Sequence, residues 1–259
     1  MKLGIKGKTA LVTGAGRGLG NGICKSLNNE GVNIVAVSRG QEGLDELKNQ
    51  LNDLGSNHYF SIDLEEKEGV QNLVKILRDE GLSPDIIVNN AGGNLGYTDP
   101  LKTLAGWNKV MRLNVEVGIE LNEEFIPEMQ NRKWGRVCHI SSIAALENQG
   151  PPAYCAAKAA LNAYVRSLAR YVSPDNVILT SVMPGAVLTE GGYWDDASQN
   201  RPEHVEKYLN ERMAIKRFGK ISEISEVVTF LCSDLSSFCV GANMLVDGGQ
   251  GRVFQPEIL

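Results

Sequence analysis

The sequence predicts a doubly wound α/β fold, in which one seven-stranded parallel sheet carries helices on both faces. Short apolar, β-branched segments recur along the chain, and amphipathic segments lie between them. Parallel strands need crossover connections, and right-handed crossovers place helices on both sides of a sheet. The predicted strands span 9–13, 33–38, 58–62, 86–89, 136–141, 177–183 and 244–246.

The segments between these strands carry apolar residues at helical spacing, and several end at glycine or near proline. Examples are GLDELKNQLNDLG, VQNLVKILRDEG, AAKAALNAYVRSLARYV and EISEVVTFLCSDL, and long helices are expected near 104–131 and 153–172. One domain over 1–259 accounts for the whole pattern. The exception is a charged stretch at about 190–217 that lacks strand character. Because it follows a late strand, it is predicted to be an insertion that covers the substrate.

Composition narrows the classes of partner. The 26 Lys and Arg against 31 Asp and Glu give a formal net charge of −5, which disfavours nucleic acid and anionic membranes. No apolar run approaches the roughly 18 residues of a membrane span, and the first residues, MKLGIKGKTALVTG, do not form a targeting segment. The five cysteines form no C-x-x-C pair, so we expect reduced thiols in the cytoplasm. The three histidines have no metal-ligand spacing, and no metal is expected.

The first strand runs into a glycine-rich turn that precedes a helix. The segment reads Thr13-Gly14-Ala15-Gly16-Arg17-Gly18-Leu19-Gly20 and fits T-G-x-x-x-G-x-G rather than G-x-G-x-x-G. Glycine allows the backbone to approach a pyrophosphate closely, and the helix N-terminus offers unpaired N–H groups to the anion. A purely structural turn is the alternative.

Further motifs follow in a fixed order: Asp63 in SIDL, NNAG at 89–92, Asn114 in RLNV, ISS at 140–142, Tyr154 with Lys158, Pro184-Gly185 followed by Thr189, and VDGG at 246–249. With the glycine turn, they resemble the short-chain dehydrogenase/reductase family over essentially the whole chain. The sequence is most similar to 3-oxoacyl-[acyl-carrier-protein] reductases and related sugar or polyol dehydrogenases. The resemblance implies a Rossmann-type domain that interconverts a ketone and a secondary alcohol by hydride transfer. A non-catalytic NADP(H)-binding protein is the alternative from another class.

Tyr154 and Lys158 lie four residues apart in a predicted helix, so their side chains share one face. A nearby ammonium would favour the phenolate and lower the pKa of the tyrosine. Resemblance makes Tyr154 the acid/base and Lys158 the residue that tunes it and holds the nicotinamide ribose. Ser142, at the end of the predicted fifth strand, would hydrogen-bond the reacting oxygen, and Ser141 is its rival. Resemblance gives Asn114 a water that links Lys158 to solvent.

The cofactor choice depends on the end of the second strand. Ser38-Arg39 stands where an NAD-preferring relative would carry an acidic residue. Arg39 and Arg17 would flank a 2′-phosphate with no competing carboxylate, which favours NADP(H) over NAD(H). The resemblance implies a cofactor site made of Gly14, Gly16, Arg17, Gly18, Leu19, Gly20, Ser38, Arg39, Asp63, Leu64, Asn90, Ala91, Gly92, Tyr154, Lys158, Pro184, Gly185, Val187 and Thr189.

The sequence leaves two candidate classes of substrate. Resemblance favours a 3-oxoacyl group, with an acyl carrier protein as a candidate partner that Arg132 and Lys133 would help to bind. However, the turn at 173–176 is acidic or neutral where such relatives tend to be basic. A polar, sugar-like substrate is the alternative, with Asn94, Asn148, Tyr193 and Trp194 as candidate contacts. Resemblance also implies a homotetramer.

Overall fold

Seven parallel strands form one sheet in the computed structural model, which describes residues 2–52, 55–102 and 104–252. The strand order is β3-β2-β1-β4-β5-β6-β7. Every predicted strand is confirmed, with ends that differ by at most one residue. The strands are β1 (Thr9–Thr13), β2 (Asn33–Ser38), β3 (His58–Ser61), β4 (Ile86–Asn89), β5 (Gly135–Ile140), β6 (Val177–Pro184) and β7 (Asn243–Val246).

Helices cover both faces of the sheet, as the sequence predicts. They are α1 (Gly18–Asn29), α2 (Gln41–Lys48), α3 (Gly69–Asp79), α4 (Leu104–Met111), α5 (Val117–Arg132), α6 (Pro152–Val172), α7 (Tyr193–Asn200), α8 (Pro202–Arg212) and α9 (Ile221–Leu231). No helix within the described ranges combines the length and the apolar character needed to cross a membrane.

The alternation of β1 side chains shows how the two faces are buried. Ala10 and Val12 belong to a core cluster with residues of α1 and α9. Leu11 points to the other face and belongs to a cluster with residues of α3, α5 and α6. Because both faces of the sheet are covered, its strands are rich in Val, Ile and Leu rather than alternating with polar residues.

The order of the strands determines where a ligand crevice opens. Strand β1 pairs with β2 on one side and with β4 on the other, so the order in which strands are added to the sheet reverses at β1. The connections after β1 and β4 therefore leave the sheet toward opposite faces and open a crevice at the carboxyl ends of the strands. The glycine turn follows β1 at this crevice.

The predicted long helix near 104–131 and the predicted insertion at about 190–217 each contain more than one helix. The predicted long helix near 104–131 consists of α4, a π-helical turn at Arg112–Glu116, and α5. A π turn holds an extra residue and changes the direction of the side chains around it. The predicted insertion contains α7 and α8, which are joined at Arg201.

Candidate active site

The glycine turn lies against the residues that follow β4. Gly14 has a φ of 64°, which favours glycine. A Cβ added at Gly14 would lie 2.9 Å from Asn90 Nδ2, and one at Gly20 would lie 2.1 Å from the carbonyl oxygen of Gly14. The Asn90 amide donates to the carbonyls of Thr13 at 2.9 Å and Gly14 at 3.1 Å. The turn is thus fixed in a shape that larger residues would not allow.

The N-terminus of α1 suits a bound anion. Arg17 is the N-cap residue, and its side chain makes no capping hydrogen bond. The first-turn N–H groups of α1 are therefore open to a ligand at the crevice, where the helix dipole favours negative charge. Together with the glycine cradle, this open N-terminus fits the pyrophosphate of a dinucleotide.

The crevice is a cavity of about 620 Å³. It passes from the ends of β2 and β3, across the glycine turn, to the start of α6 and the residues that precede α7. All predicted cofactor residues except Gly16 and Gly20 line it, namely Gly14, Arg17, Gly18, Leu19, Ser38, Arg39, Asp63, Leu64, Asn90, Ala91, Gly92, Tyr154, Lys158, Pro184, Gly185, Val187 and Thr189. The two exceptions support the turn from behind, where a Cβ on Gly16 would lie 2.7 Å from Ser38 Oγ.

The corner next to β2 and β3 contains a carboxylate close to Arg39. Asp63 Oδ2 lies 3.8 Å from Arg39 Nη1. Ser38 is paired with Ser61 in the parallel register, so the residues after these two strands meet at the same edge. The expectation that no carboxylate competes for Arg39 is wrong. Arg39 is nevertheless 72% exposed, and its guanidinium remains open to a second anion.

Tyr154 and Ser142 come together at the other end of the cavity. Tyr154 lies in the first turn of α6, and the side chain of Ser142 is close enough to its hydroxyl to lower the pKa of the phenol. The Ser142 oxygen also accepts a hydrogen bond from the N–H of Ala144 at 3.1 Å. The rival, Ser141, is buried and directs its hydroxyl to the carbonyl of Lys158 at 3.4 Å. The geometry therefore favours Ser142 as the partner of Tyr154.

Lys158 is buried beside this pair. Its Nζ donates to the carbonyl of Ile140 at 2.8 Å and lies 5.6 Å from the centroid of the Tyr154 ring. Burial lowers the pKa of Lys158 to about 7. Burial also raises the pKa of Tyr154, while the hydrogen bond from Ser142 lowers it. The expected lowering of the Tyr154 pKa by Lys158 is not seen here: burial has the largest effect, and it raises this pKa.

Asn114 stands behind the cavity wall rather than in it. It lies in the π turn, where its Oδ1 accepts from the N–H of Gly93 at 3.0 Å. Its Nδ2 donates to the carbonyls of Gly93 and Val110, both at 2.8 Å. A Cβ on Gly92 would lie 2.6 Å from Asn114 Oδ1 and 3.1 Å from Lys158 Nζ. Asn114 thus shapes the wall next to Lys158, and its link to a water stays a prediction.

The four candidate substrate residues fall into two groups. Tyr193 and Trp194 line the cavity. Asn94 and Asn148 are not among its lining residues, since Asn94 accepts from the N–H of Gly96 in a local turn and Asn148 is exposed. Trp194 is packed among other rings, at 4.1 Å from the Tyr208 centroid.

The sequence reasoning did not single out several residues that line the cavity. Gly93, Leu95, Ile140 and Glu190 are examples. Three of them adjoin recognised motifs, because Gly93 follows NNAG, Ile140 begins ISS and Glu190 follows Thr189. The residues next to each motif are therefore the ones that the sequence could also have indicated. Among the described residues, no group of three or more His, Cys, Asp and Glu side chains is placed to hold a metal ion.

The order and geometry of these residues correspond to a known family. A family model described as enoyl-(acyl carrier protein) reductase matches residues 14–250. The chain belongs to the short-chain dehydrogenase/reductase family. As a member, it is an oxidoreductase that acts on CH–OH and C=O groups and uses a nicotinamide cofactor. The reaction class expected from the motifs is confirmed.

Its relatives act on chemically different substrates. The 3-oxoacyl-[acyl-carrier-protein] reductase FabG of Pseudomonas aeruginosa is 30% identical over 249 residues, which cover 95% of this chain and 98% of that protein. L-Sorbose reductase from Gluconobacter frateurii, complexed with NADPH and L-sorbose, has a TM-score of 0.88 at 30% identity and covers 99% of this chain and 100% of that one. A 7α-hydroxysteroid dehydrogenase complexed with NADH and 7-oxo glycochenodeoxycholic acid has a TM-score of 0.86 at 28% identity, with 96% of each chain covered.

Proposed function

We propose that this enzyme is an NADPH-preferring reductase of a small, polyhydroxylated ketone. The observation that carries the reaction is the meeting of Tyr154, Ser142 and Lys158 in one cavity with the glycine cradle. When bound, the cofactor supplies the hydride that reduces the carbonyl carbon. The glycine turn and the N-terminus of α1 would hold its pyrophosphate, and Lys158 would hold its ribose.

The residues of the chain supply the proton chemistry. Because burial raises the pKa of Tyr154, its hydroxyl keeps its proton near neutral pH and donates it to the carbonyl oxygen. The Ser142 hydroxyl donates a hydrogen bond to the same oxygen as negative charge develops there. The buried ammonium of Lys158 favours transfer of that proton, since a positive charge stabilises the phenolate left on Tyr154.

The preference for NADPH rests on the two arginines at the corner of the cavity. Arg17 and Arg39 both line it, and a guanidinium is matched to a phosphate as a forked donor. Asp63 competes for Arg39, but the ion pair is solvent-exposed and contributes less than about 1 kcal/mol. A 2′-phosphate would therefore bind Arg39 more strongly than the Asp63 carboxylate does.

The choice of a polyhydroxylated ketone rests on charges far from the cavity as well as on the residues within it. Lys133 is ion-paired with Asp175, and Arg132 lies near Asp85 and Glu128. These pairs neutralise the basic residues that were expected to attract an acidic carrier protein. By contrast, Tyr193, Trp194 and Glu190 line the cavity. An aromatic ring can stack on the apolar face of a sugar, and a carboxylate can accept hydrogen bonds from its hydroxyls.

A 3-oxoacyl substrate is the second candidate. The Pseudomonas aeruginosa relative acts on such groups and matches nearly the whole chain. In that case, an acyl carrier protein would be a partner of this enzyme. The ion pair between Lys133 and Asp175 argues against the partner but not against a short 3-oxoacyl thioester.

A substrate screen combined with a matched pair of variants tests this function. Purified enzyme is assayed with NADPH and NADH on L-sorbose, other ketoses and a 3-oxoacyl thioester. Trp194→Ala should raise the KM of a ketose about five- to thirtyfold, because the lost stacking is worth about 1–2 kcal/mol, and should change the thioester KM much less. Trp194→Phe keeps an aromatic ring and should preserve most of the affinity. Efficient reduction of the thioester without activity on any ketose would reject the polyhydroxylated substrate.

The remaining expectations from the family resemblance belong to the same proposal. We infer that residues 1–259 act as one domain and assemble into a homotetramer in the cytoplasm. All five cysteines are free thiols in this structure, which suits a reducing compartment.

A further inference from the structure

A short segment near the end of the chain packs against the substrate side of the cavity. This C-terminal segment comprises residues 247–252 and follows β7 directly. The carboxylate of Asp247 accepts hydrogen bonds from the N–H groups of Gly249 at 3.0 Å and Gly251 at 2.6 Å. These contacts curl the segment into a compact turn and present the side chain of Gln250 inward.

Gln250 is only 2% exposed, and its amide is fully engaged. Its Oε1 accepts from the N–H of Ala186 at 2.7 Å. Its Nε2 donates to the hydroxyl of Tyr208 at 2.7 Å and to Gln149 Oε1 at 3.4 Å. One buried amide thus joins three separate segments: the loop after β6, helix α8 and the loop between Ser142 and Tyr154.

Each of these partners is close to a wall of the cavity. Ala186 follows Gly185, which lines the cofactor side. The ring of Tyr208 packs against Trp194, which lines the substrate side. Gln149 belongs to the loop that leads into α6, and Tyr154 lies in the first turn of that helix.

The requirement for glutamine at this position follows from its hydrogen-bonding groups. A carboxamide carries an acceptor and two donors on one planar group, and here the acceptor meets a backbone N–H while the donors meet two side-chain oxygens. The fit is close, because a Cβ on Gly185 would lie 2.7 Å from Gln250 Oε1. Arg252 adds to the same junction, since its N–H donates to the Glu147 carboxylate and its guanidinium donates to the carbonyl of Glu211 in α8.

We propose that Gln250 is a positioning residue that holds two segments in register. One is the lid, which consists of α7 and α8, and the other is the cofactor loop, which follows β6 and contains Gly185 and Ala186. Gln250 acts through the Tyr208 hydroxyl, which fixes the ring on which Trp194 packs. The lid then keeps the aromatic wall of the substrate side at a constant distance from Tyr154 and Ser142. Only the statement that this lid covers a ketone rests on the proposed function, while the coupling of lid and loop does not.

Amide hydrogen exchange of the cofactor-free full-length protein tests the coupling without any substrate. Gln250→Met keeps the length of the side chain but removes all its hydrogen bonds, and Tyr208→Phe removes one hydroxyl. A neutral hydrogen bond contributes about 1 kcal/mol, so Tyr208→Phe should speed exchange over 193–212 about fivefold, and Gln250→Met about tenfold or more. The double variant should match Gln250→Met, because that change already removes the partner of Tyr208.

Two controls separate positioning from loss of stability. Gln199→Met alters an exposed glutamine of α7 that bonds only Asp195 in its own helix, so lid exchange should stay at the wild-type rate. Helix α3, which packs against α5, should exchange at the wild-type rate in every variant. Unchanged lid exchange in Tyr208→Phe, additive effects in the double variant, or equal acceleration in α3 would each overturn the proposal.

A kinetic split provides the second readout. With whichever ketone of the screen is reduced, Tyr208→Phe should raise the ketone KM about fivefold and leave the dissociation constant of NADPH within about twofold. A screen that finds no reducible ketone would count against the proposed function alone, since the exchange measurement needs no substrate. Equal losses in ketone KM and NADPH affinity would contradict a role in the lid.

Discussion

Replacing the buried lysine of the active site should make the enzyme more stable and less active. Lys158 is 3% exposed, and burial lowers its pKa from 10.5 to about 7. At 1.36 kcal/mol per pH unit, this difference corresponds to about 5 kcal/mol of destabilisation when the lysine is charged in the folded protein. In the proposed mechanism, the charge of this lysine stabilises the phenolate of Tyr154.

The pH dependence follows from proton counting. Below pH 7, Lys158 is protonated in both the folded and the unfolded protein, and the full cost applies. Between about pH 7 and 10.4, the unfolded chain keeps the proton that the folded protein has lost. The contribution of Lys158 to stability therefore becomes more favourable as the pH rises through this range.

Lys158→Met removes the charge and retains a long side chain. It also leaves the carbonyl of Ile140 without its donor, which costs about 1–3 kcal/mol. The net gain at pH 6 should be about 3 kcal/mol, or a rise in Tm of about 6–12 °C for a protein of this size. Near pH 9 the gain should almost disappear, because the cost of the wild-type lysine has fallen to about 2 kcal/mol.

Thermal unfolding at pH 6 and pH 9 measures this difference. Lys75→Met, at an exposed position of α3, serves as the control for the loss of a lysine and should shift Tm by less than about 2 °C. If Lys158→Met melts below the wild type at pH 6, or if its Tm advantage is equal at both pH values, the burial argument for Lys158 is wrong.

Three further outcomes test the site and the assembly. Tyr154→Phe should reduce turnover to below a few per cent while NADPH still binds in a fluorescence titration, because only the transferable proton is lost. Arg39→Asp should weaken the binding of NADPH and relatively favour NADH. Asp63→Asn should instead lower the dissociation constant of NADPH about two- to fivefold, because it releases Arg39 from its ion pair. A wild-type enzyme that prefers NADH in parallel kinetics would refute both expectations. Light scattering should return about four times the 28.2 kDa chain mass, and a particle of 28.2 kDa at micromolar concentration would exclude the tetramer.

The strands could be predicted from the sequence because their burial on both faces leaves a strong local signal. The apolar runs that became β1, β2 and β4 have the predicted ends. The glycine turn and the Tyr154–Lys158 pair were also recognisable, since a tight turn and a four-residue helical spacing are local properties. These local patterns carried the family resemblance, and the resemblance then implied most of the residues that line the cavity.

Features that depend on contacts between distant segments could not be predicted in this way. The ion pair of Arg39 with Asp63 joins the ends of two neighbouring strands, and it reverses the expectation of an unopposed arginine. Gln250 reaches Gln149 across 101 residues, and no spacing rule indicates that contact. The pKa of Tyr154 likewise reflects the packing around its ring, which the presence of a lysine four residues away does not reveal.

The strand order also governs how the chain can fold during synthesis. After β1, the strands β2 and β3 add in turn to one side, and β4, β5, β6 and β7 then add in turn to the other side. Each new strand meets an open edge, so no strand has to enter between two that are already paired. The nascent sheet can therefore grow as residues leave the ribosome, although the β1–β4 pairing must wait for about seventy residues of chain. Until β4 arrives, one edge of β1 keeps its backbone N–H and C=O groups unpaired, and such an edge can pair with another chain and aggregate.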